Sequence, residues 1–142
     1  MSKLRRRRRV FVVDDEQILA EQLVELLRRK GLDAHFFEWP HEMLDVSRFS
    51  PPDLLVADVE IKRANALEFA IKVRECAPSC KVLLFSTHAG TNAMLESVRS
   101  AQSDFILLFG PARLTELLEW IFGAIGNIRS RRTVRTRVSR ND

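Results

Sequence analysis

Short apolar runs alternate along this chain with longer segments whose apolar residues recur at helical spacing. Val10-Phe11-Val12-Val13 is apolar throughout, as a strand covered on both faces should be, and it stops at Asp14-Asp15-Glu16. Leu19, Leu23, Leu26 and Leu27 then share one helical face. Arg28-Arg29-Lys30 in the last turn and Gly31 after it suit the helix dipole and a left-handed cap. Asp33 to Phe37 reads as a second strand, and Pro40 opens a short second helix.

The alternation continues. Pro51-Pro52 is a break, and Leu54 to Ala57 is a third strand that stops at Asp58. Asn65 with Glu68 three residues later predicts the capped start of a helix carrying Phe69, Ala70, Val73 and Ala77 on one face, ended by Pro78. Lys81 to Phe85 is a fourth strand running into Ser86-Thr87. Gly90 to Ser100 is a weaker fourth helix, with Met94, Val98 and Ala101 inward. Phe105 to Leu108 is a fifth strand, and Gly110-Pro111 opens a fifth helix with Leu114, Leu117, Leu118, Ile121 and Ile125 on its apolar stripe. Five strand–helix units of this kind predict a parallel sheet covered by helices on both faces.

In such sheets, chemistry collects beyond the carboxyl ends of the strands. The first strand delivers Asp14 and Asp15 there, the third Asp58, and the fourth Ser86 and Thr87. Crowded carboxylates repel one another, so a divalent cation is their natural partner. Magnesium accepts one or two carboxylates, keeps several waters and takes phosphoryl oxygens, and a remaining carboxylate can then attack phosphorus. Any one of these aspartates alone is more often a helix cap or a strand end. Three on one sheet edge favour the chemical reading.

These residues carry a family resemblance. Val12-Val13-Asp14-Asp15-Glu16 followed by a leucine helix and Gly31 resembles the opening of bacterial response-regulator receiver domains. Pro52-Asp53-Leu54-Leu55-Val56-Ala57-Asp58 resembles the strand that carries the family's phosphoacceptor. Leu83-Leu84-Phe85-Ser86 looks like the strand ending in its Ser/Thr, and Asp104-Phe105-Ile106 like its aromatic switch strand. The resemblance covers roughly residues 10–126 and rests on the order and spacing of loose motifs. It implies a three-layer flavodoxin-like (βα)5 fold, a doubly wound parallel sheet of strand order 2-1-3-4-5. It also implies that Asp58 is phosphorylated and that Ser86 contacts the phosphoryl group. Phe105 would be the aromatic that turns inward on activation. Asp15, Asp58 and the backbone carbonyl of Glu60 would hold Mg2+, with Asp14 reaching it through water. Glu60 and His88 would tune phosphoryl lifetime.

The sequence also departs from the family. Receivers end the fifth strand in Lys-Pro. Here those positions read Leu108-Phe109, or Gly110-Pro111 if two residues are inserted, and neither supplies the lysine. After Asp58 the loop has Lys62 where the family has proline and Ala66 where it has glycine. Lys62 is a candidate substitute cation, although a solvated loop charge is the commoner role for such a residue.

Composition adds a division of the chain. Of 142 residues, 46% are hydrophobic and the net charge is +4. Residues 1–9 hold six bases, residues 127–142 six arginines and one acid, and residues 10–126 carry eleven bases against eighteen acids. The chain therefore divides into a basic N-terminal arm (1–9), a receiver domain (10–126) and a basic, flexible C-terminal tail (127–142). No apolar run approaches the roughly 20 residues of a membrane span, and Asp14-Asp15 interrupts any secretory signal core, so the cytoplasm is the expected location. Cys76 and Cys80 are expected to be reduced thiols, because the scattered His35, His41 and His88 complete no zinc site.

The functional expectation is a stand-alone receiver in a phosphorelay. It would be loaded by a sensor histidine kinase or phosphotransfer protein and would signal by docking an unidentified downstream protein. It would have no turnover chemistry beyond self-phosphorylation and slow autodephosphorylation. A phosphorylation-independent pseudo-receiver is the alternative. A phosphatase of the haloacid-dehalogenase type is disfavoured because Glu60 stands where those enzymes place a second aspartate. The tails could bind nucleic acid nonspecifically by counterion release, and the faces of the fourth and fifth helices offer a homodimer surface used in the family.

Overall fold

The computed structural model describes residues 6–61, 65–86, 104–111 and 113–128. Nine elements follow in order: β1 (Arg9–Val13), α1 (Gln17–Arg29), β2 (Asp33–Phe37), α2 (Pro40–Phe49), β3 (Leu54–Asp58), α3 (Ala66–Cys76), β4 (Lys81–Ser86), β5 (Ile106–Pro111) and a C-terminal helix, α4 (Leu114–Ile128). The helix expected over Gly90 to Ser100 lies outside the described residues.

All strand pairs are parallel, and the sheet order is β2-β1-β3-β4-β5. The five-stranded doubly wound sheet expected from the alternation is therefore present. Its strand order reverses between β1 and β3, which opens a crevice beyond their carboxyl ends.

Alternate residues of the strands feed two separate cores. On one face Phe11, Val13, Leu55, Ala57, Leu84 and Leu107 pack with Met43 of α2 and with Phe69, Ala70 and Val73 of α3. On the other, Val10, Val12, Leu54, Val56, Leu83, Phe85, Ile106 and Leu108 pack with Leu23 and Leu27 of α1 and with Leu117 and Ile121 of α4. This two-sided burial is why the strands read as unbroken apolar runs rather than as an alternation.

Local signals act where the sequence puts them. Gly31, at φ +90°, closes α1 with a double turn in which Leu32 donates to the Leu27 carbonyl and Gly31 to that of Arg28, both near 3 Å. Leu32 and Leu27 then pack in the same core. That combination is a Schellman cap. At the start of α3, Asn65 Oδ1 accepts the Glu68 N–H at 3.1 Å, a cap worth about 1 kcal/mol.

Two boundaries differ from expectation at the termini. β1 begins at Arg9 and α4 runs to Ile128. Part of the basic arm belongs to the sheet's lower edge. Arg9 donates its backbone N–H to Asp53 Oδ2 at 2.7 Å and its Nε to Asp33 Oδ2 at 2.9 Å. Arg6 forks onto both oxygens of Asp53 at 3.1 Å.

The third difference concerns β5. Gly110-Pro111 was expected to open a helix, but both residues belong to the strand, which pairs with β4 as far as Pro111, and the helix starts at Leu114. The register explains why: Phe85 stands opposite Leu108, whereas Ser86 stands opposite Pro111, so β5 carries extra residues in a bulge.

Candidate functional site

Asp14, Asp58 and Ser86 are the buried polar residues at the carboxyl ends of β1, β3 and β4, exposed by only 1%, 3% and 0%. Val13 is in register with Ala57, so the residue following each of these is an aspartate at the crevice. Asp58 is in register with Phe85, and Ser86 is the next residue along β4. The sheet thus brings together side chains that lie 44 and 28 positions apart in sequence.

The two buried aspartates make the same local turn. Asp14 Oδ1 accepts the Glu16 N–H at 3.0 Å, and Asp58 Oδ1 accepts the Glu60 N–H at 2.8 Å. Each carboxylate bonds the backbone two residues ahead, which fixes the chain as it leaves the strand. The turn after β3 is pinned further by the Val59 N–H on the Phe85 carbonyl at 2.9 Å. Glu60 sits in that turn, half-buried, and Asp15 is half-buried beside Asp14.

Asp14 is electrostatically the odd member. Burial pushes its carboxyl up to about 7, against the lowering effect of the Glu16 N–H, and the charges of Asp58, Asp15 and Glu16 push the same way. Its Oδ2 is buried without a hydrogen-bond partner. A buried, unpartnered carboxylate oxygen facing other acids is the environment that a divalent cation relieves. Among the described residues no group of three or more His, Cys, Asp or Glu side chains is placed to hold a metal ion by itself. Magnesium does not require one, since it takes one or two carboxylates and keeps its waters. The donor set fits Mg2+, with Asp14, Asp15 and Asp58 as the residues that would hold it.

Phe105 precedes β5 and is fully buried, packed in the core that contains Phe11, Leu84 and Leu107. The aromatic expected to turn inward on activation is therefore inward in this structure. Leu108, one of the two positions that align with the family's lysine, is 5% exposed and packs in the opposite core. The register leaves Gly110-Pro111 at the end of the strand. Thr87, His88 and the candidate cation Lys62 lie outside the described residues. Arg74 was missed by sequence reasoning, because a base in a helix's last turn is adequately explained by the dipole. Its Nη2 donates to Asp104 Oδ2 at 2.7 Å, and its guanidinium lies 5.5 Å from the centre of the Phe105 ring.

With this geometry in place, the comparison with known proteins is decisive: residues 10–119 match the response regulator receiver domain. The chain belongs to that family. It is 24% identical over 123 residues to the DNA-binding transcriptional regulator NtrC of Proteus hauseri, a match that covers 87% of this chain and 26% of that protein. A receiver domain protein of Methanospirillum hungatei superimposes with a TM-score of 0.73 at 17% identity, covering 89% of this chain and all of that one. A response regulator of Burkholderia pseudomallei, solved with a phosphorylated aspartic acid, a calcium ion and citrate, gives a TM-score of 0.69 at 19% identity. That match covers 87% of this chain and 69% of the other. Such structural likenesses show the fold. This receiver spans between a fifth and about half of the length of the first curated relatives it matches. It is a receiver domain of the kind used in two-component signalling, and among the described residues no helix is long and apolar enough to cross a membrane.

Proposed function

We propose that this receiver accepts a phosphoryl group on Asp58 from a histidine kinase or phosphotransfer protein in the cytoplasm and passes the signal on by docking a protein partner. The observation that carries this reading is the buried pair Asp14 and Asp58, one with an unpartnered oxygen, next to the buried hydroxyl of Ser86. In the step itself, an Asp58 carboxylate oxygen bonds to phosphorus as the donor's P–N or P–O bond breaks. The leaving imidazole or acetate keeps that bonding pair. Mg2+, when bound, neutralises charge on the phosphoryl oxygens. Asp14, Asp15, Asp58 and the Glu60 carbonyl would hold the ion, Ser86 donates its hydroxyl to a phosphoryl oxygen, and Phe105 occupies the position of the switch aromatic. The chain is not a turnover enzyme in this reading, since water slowly returns Asp58 to the free acid.

The test is intact mass after incubation with acetyl phosphate and magnesium, comparing the wild type with Asp58→Ala. A phosphoryl adduct that needs both Asp58 and magnesium supports the reading. Absence of an adduct, also with a kinase fraction as donor, overturns it.

One observation favours a second reading, a pseudo-receiver that docks partners whatever its phosphorylation state. Leu108 is built into the apolar core and Gly110-Pro111 ends the strand, so β5 brings no cation to Asp58. The mass experiment separates the two readings. The arginine-rich ends are proposed to contact nucleic acid nonspecifically. The described chain enters at Arg6, which pairs with Asp53 just before β3, at the sheet edge remote from Asp58. DNA binding that weakens with salt and disappears when residues 1–5 and 129–142 are deleted is the expected result.

A further inference from the structure

Arg74 lies in the last turn of α3 and reaches to the residues that open β5. It makes two contacts at once. Its Nη2 bonds Asp104 at 2.7 Å, and its guanidinium lies 5.5 Å from the centre of the neighbouring Phe105 ring. The Arg74 side chain is 26% exposed, so both contacts form at a partly shielded site, while Phe105 is completely buried. A planar guanidinium can stack on a ring and donate along its edge at the same time, which a lysine ammonium cannot do. One side chain thus holds the ring directly and also holds the backbone next to it through Asp104.

We propose that Arg74 is the positioning residue that keeps Phe105 inward before any phosphoryl group arrives. This rests on the reading of Phe105 as the switch aromatic. In a two-state switch a ligand moves a population only by binding one state better, and a population already on one side leaves little to move. The α3–β5 clasp therefore sets the resting position of the aromatic from the far end of β5, on the opposite edge of the sheet from Asp58. It does so in a chain whose β5 brings no lysine to couple that position to the acceptor. The resting protein accordingly presents the surface that an inward aromatic creates.

The experiment uses the full chain with 4-fluorophenylalanine placed only at position 105, read by fluorine NMR with and without beryllofluoride and magnesium as the phosphoryl mimic. In the unliganded wild type a single resonance with a negligible water–deuterium-oxide shift is expected, unchanged by the mimic. Arg74→Met keeps the aliphatic bulk and removes the charge and the fork. It should produce a second, solvent-shifted resonance whose population is at least tenfold above any seen in the wild type, with Arg74→Lys intermediate. Asp104→Asn, which leaves the helix untouched, should raise the same resonance and serves if Arg74→Met fails to fold. A wild-type spectrum in both Arg74→Met and Asp104→Asn overturns the proposal, as does a wild type already split between two comparable resonances. Arg74's hold is read without the mimic, and binding of the mimic is read from the fluorine resonance of bound beryllofluoride itself, so a mimic that fails to bind overturns the phosphoacceptor reading of Asp58 and leaves this result standing.

Discussion

Ser86 stands opposite Pro111 across β4 and β5, although the residue before it, Phe85, stands opposite Leu108. The bulge that produces this pairing moves Gly110-Pro111 up to the functional edge and keeps Leu108 in the apolar core. Leu108 and Gly110 are therefore not interchangeable as places for the family's lysine.

That difference is measurable by restoring the lysine at each position. Leu108→Lys puts an ammonium opposite Phe85, in the apolar core that also holds Leu117 and Ile121, without a partner, and a loss of about 3 kcal/mol or more is expected in urea unfolding. Gly110→Lys should fold normally and increase phosphoryl uptake from acetyl phosphate, measured by intact mass. If Leu108→Lys is as stable as the wild type, the register described here is wrong.

Most of the scaffold was legible because its signals are local. The runs Val10 to Val13 and Leu54 to Ala57 are apolar on both faces, and Asn65 caps the helix that its spacing announced. The bulge was not legible, because the partner of each β5 residue is set by β4, and Gly-Pro by itself looks like the opening of a helix. The basic arm misled for a similar reason. Arg9 reads as part of the basic arm, since its partners Asp33 and Asp53 lie 24 and 44 residues away. At the site, the acidic edge was visible as strand-end residues. The orphaned Asp14 Oδ2 could not be, because burial of a single atom depends on how the three strands pack.

Asp14 should make the metal-free protein less stable at neutral pH than in mild acid. Its carboxyl sits at about 7 in the fold against an ordinary 3.8. Below about pH 4 both folded and unfolded chains hold the proton, and no penalty exists. Between there and pH 7 the unfolded chain loses its proton first, so stability falls as pH rises, then levels off. At about 1.4 kcal/mol per pH unit, the penalty is at most about 4 kcal/mol. Asp14→Asn should therefore be more stable than the wild type in EDTA at about pH 8 and no more stable near pH 4. Magnesium should narrow the gap at the higher pH, because it takes the carboxylate form. Urea unfolding at the two pH values checks the sign, and equal effects of Asn at both would contradict it.

Asp33 titrates with the opposite sign. Burial alone would raise its carboxyl, but hydrogen bonds from Arg9 and His35, and the charges of both, bring it below the ordinary range. Its contribution is present above the unfolded value, near pH 4, and is lost as pH falls further. Asp33→Asn should accordingly lower stability near neutral pH and converge with the wild type in strong acid.

At the lower edge of the sheet, Asp53 should matter far more than the arginine it pairs with. Its carboxylate takes the Arg9 N–H at 2.7 Å and is only 17% exposed, whereas the Arg6 side chain is 57% exposed. Removing the carboxylate leaves a backbone donor at the entry of β1 without its acceptor, a loss of about 1–3 kcal/mol. Removing Arg6 breaks an exposed ion pair worth about 1 kcal/mol or less. Urea unfolding of Asp53→Ala and Arg6→Ala tests the ranking, and equal losses would mean that the ion pair, not the backbone hydrogen bond, ties β1 to β3.

The two thiols should differ sharply in reactivity despite lying four residues apart. Cys76 is exposed at the end of α3, while Cys80 is 3% exposed and burial pushes its thiol up to about 12. The thiolate is the reacting form, so Cys80 is protected twice, by access and by protonation. Iodoacetamide at about pH 8 should add one carbamidomethyl group to the native protein, at Cys76, and a second only after unfolding. Peptide mass mapping assigns the sites. Rapid native labelling of Cys80 would mean that the edge where α3 meets β4 and β5 opens readily, and the Arg74 clasp on Asp104 and Phe105 would open with it.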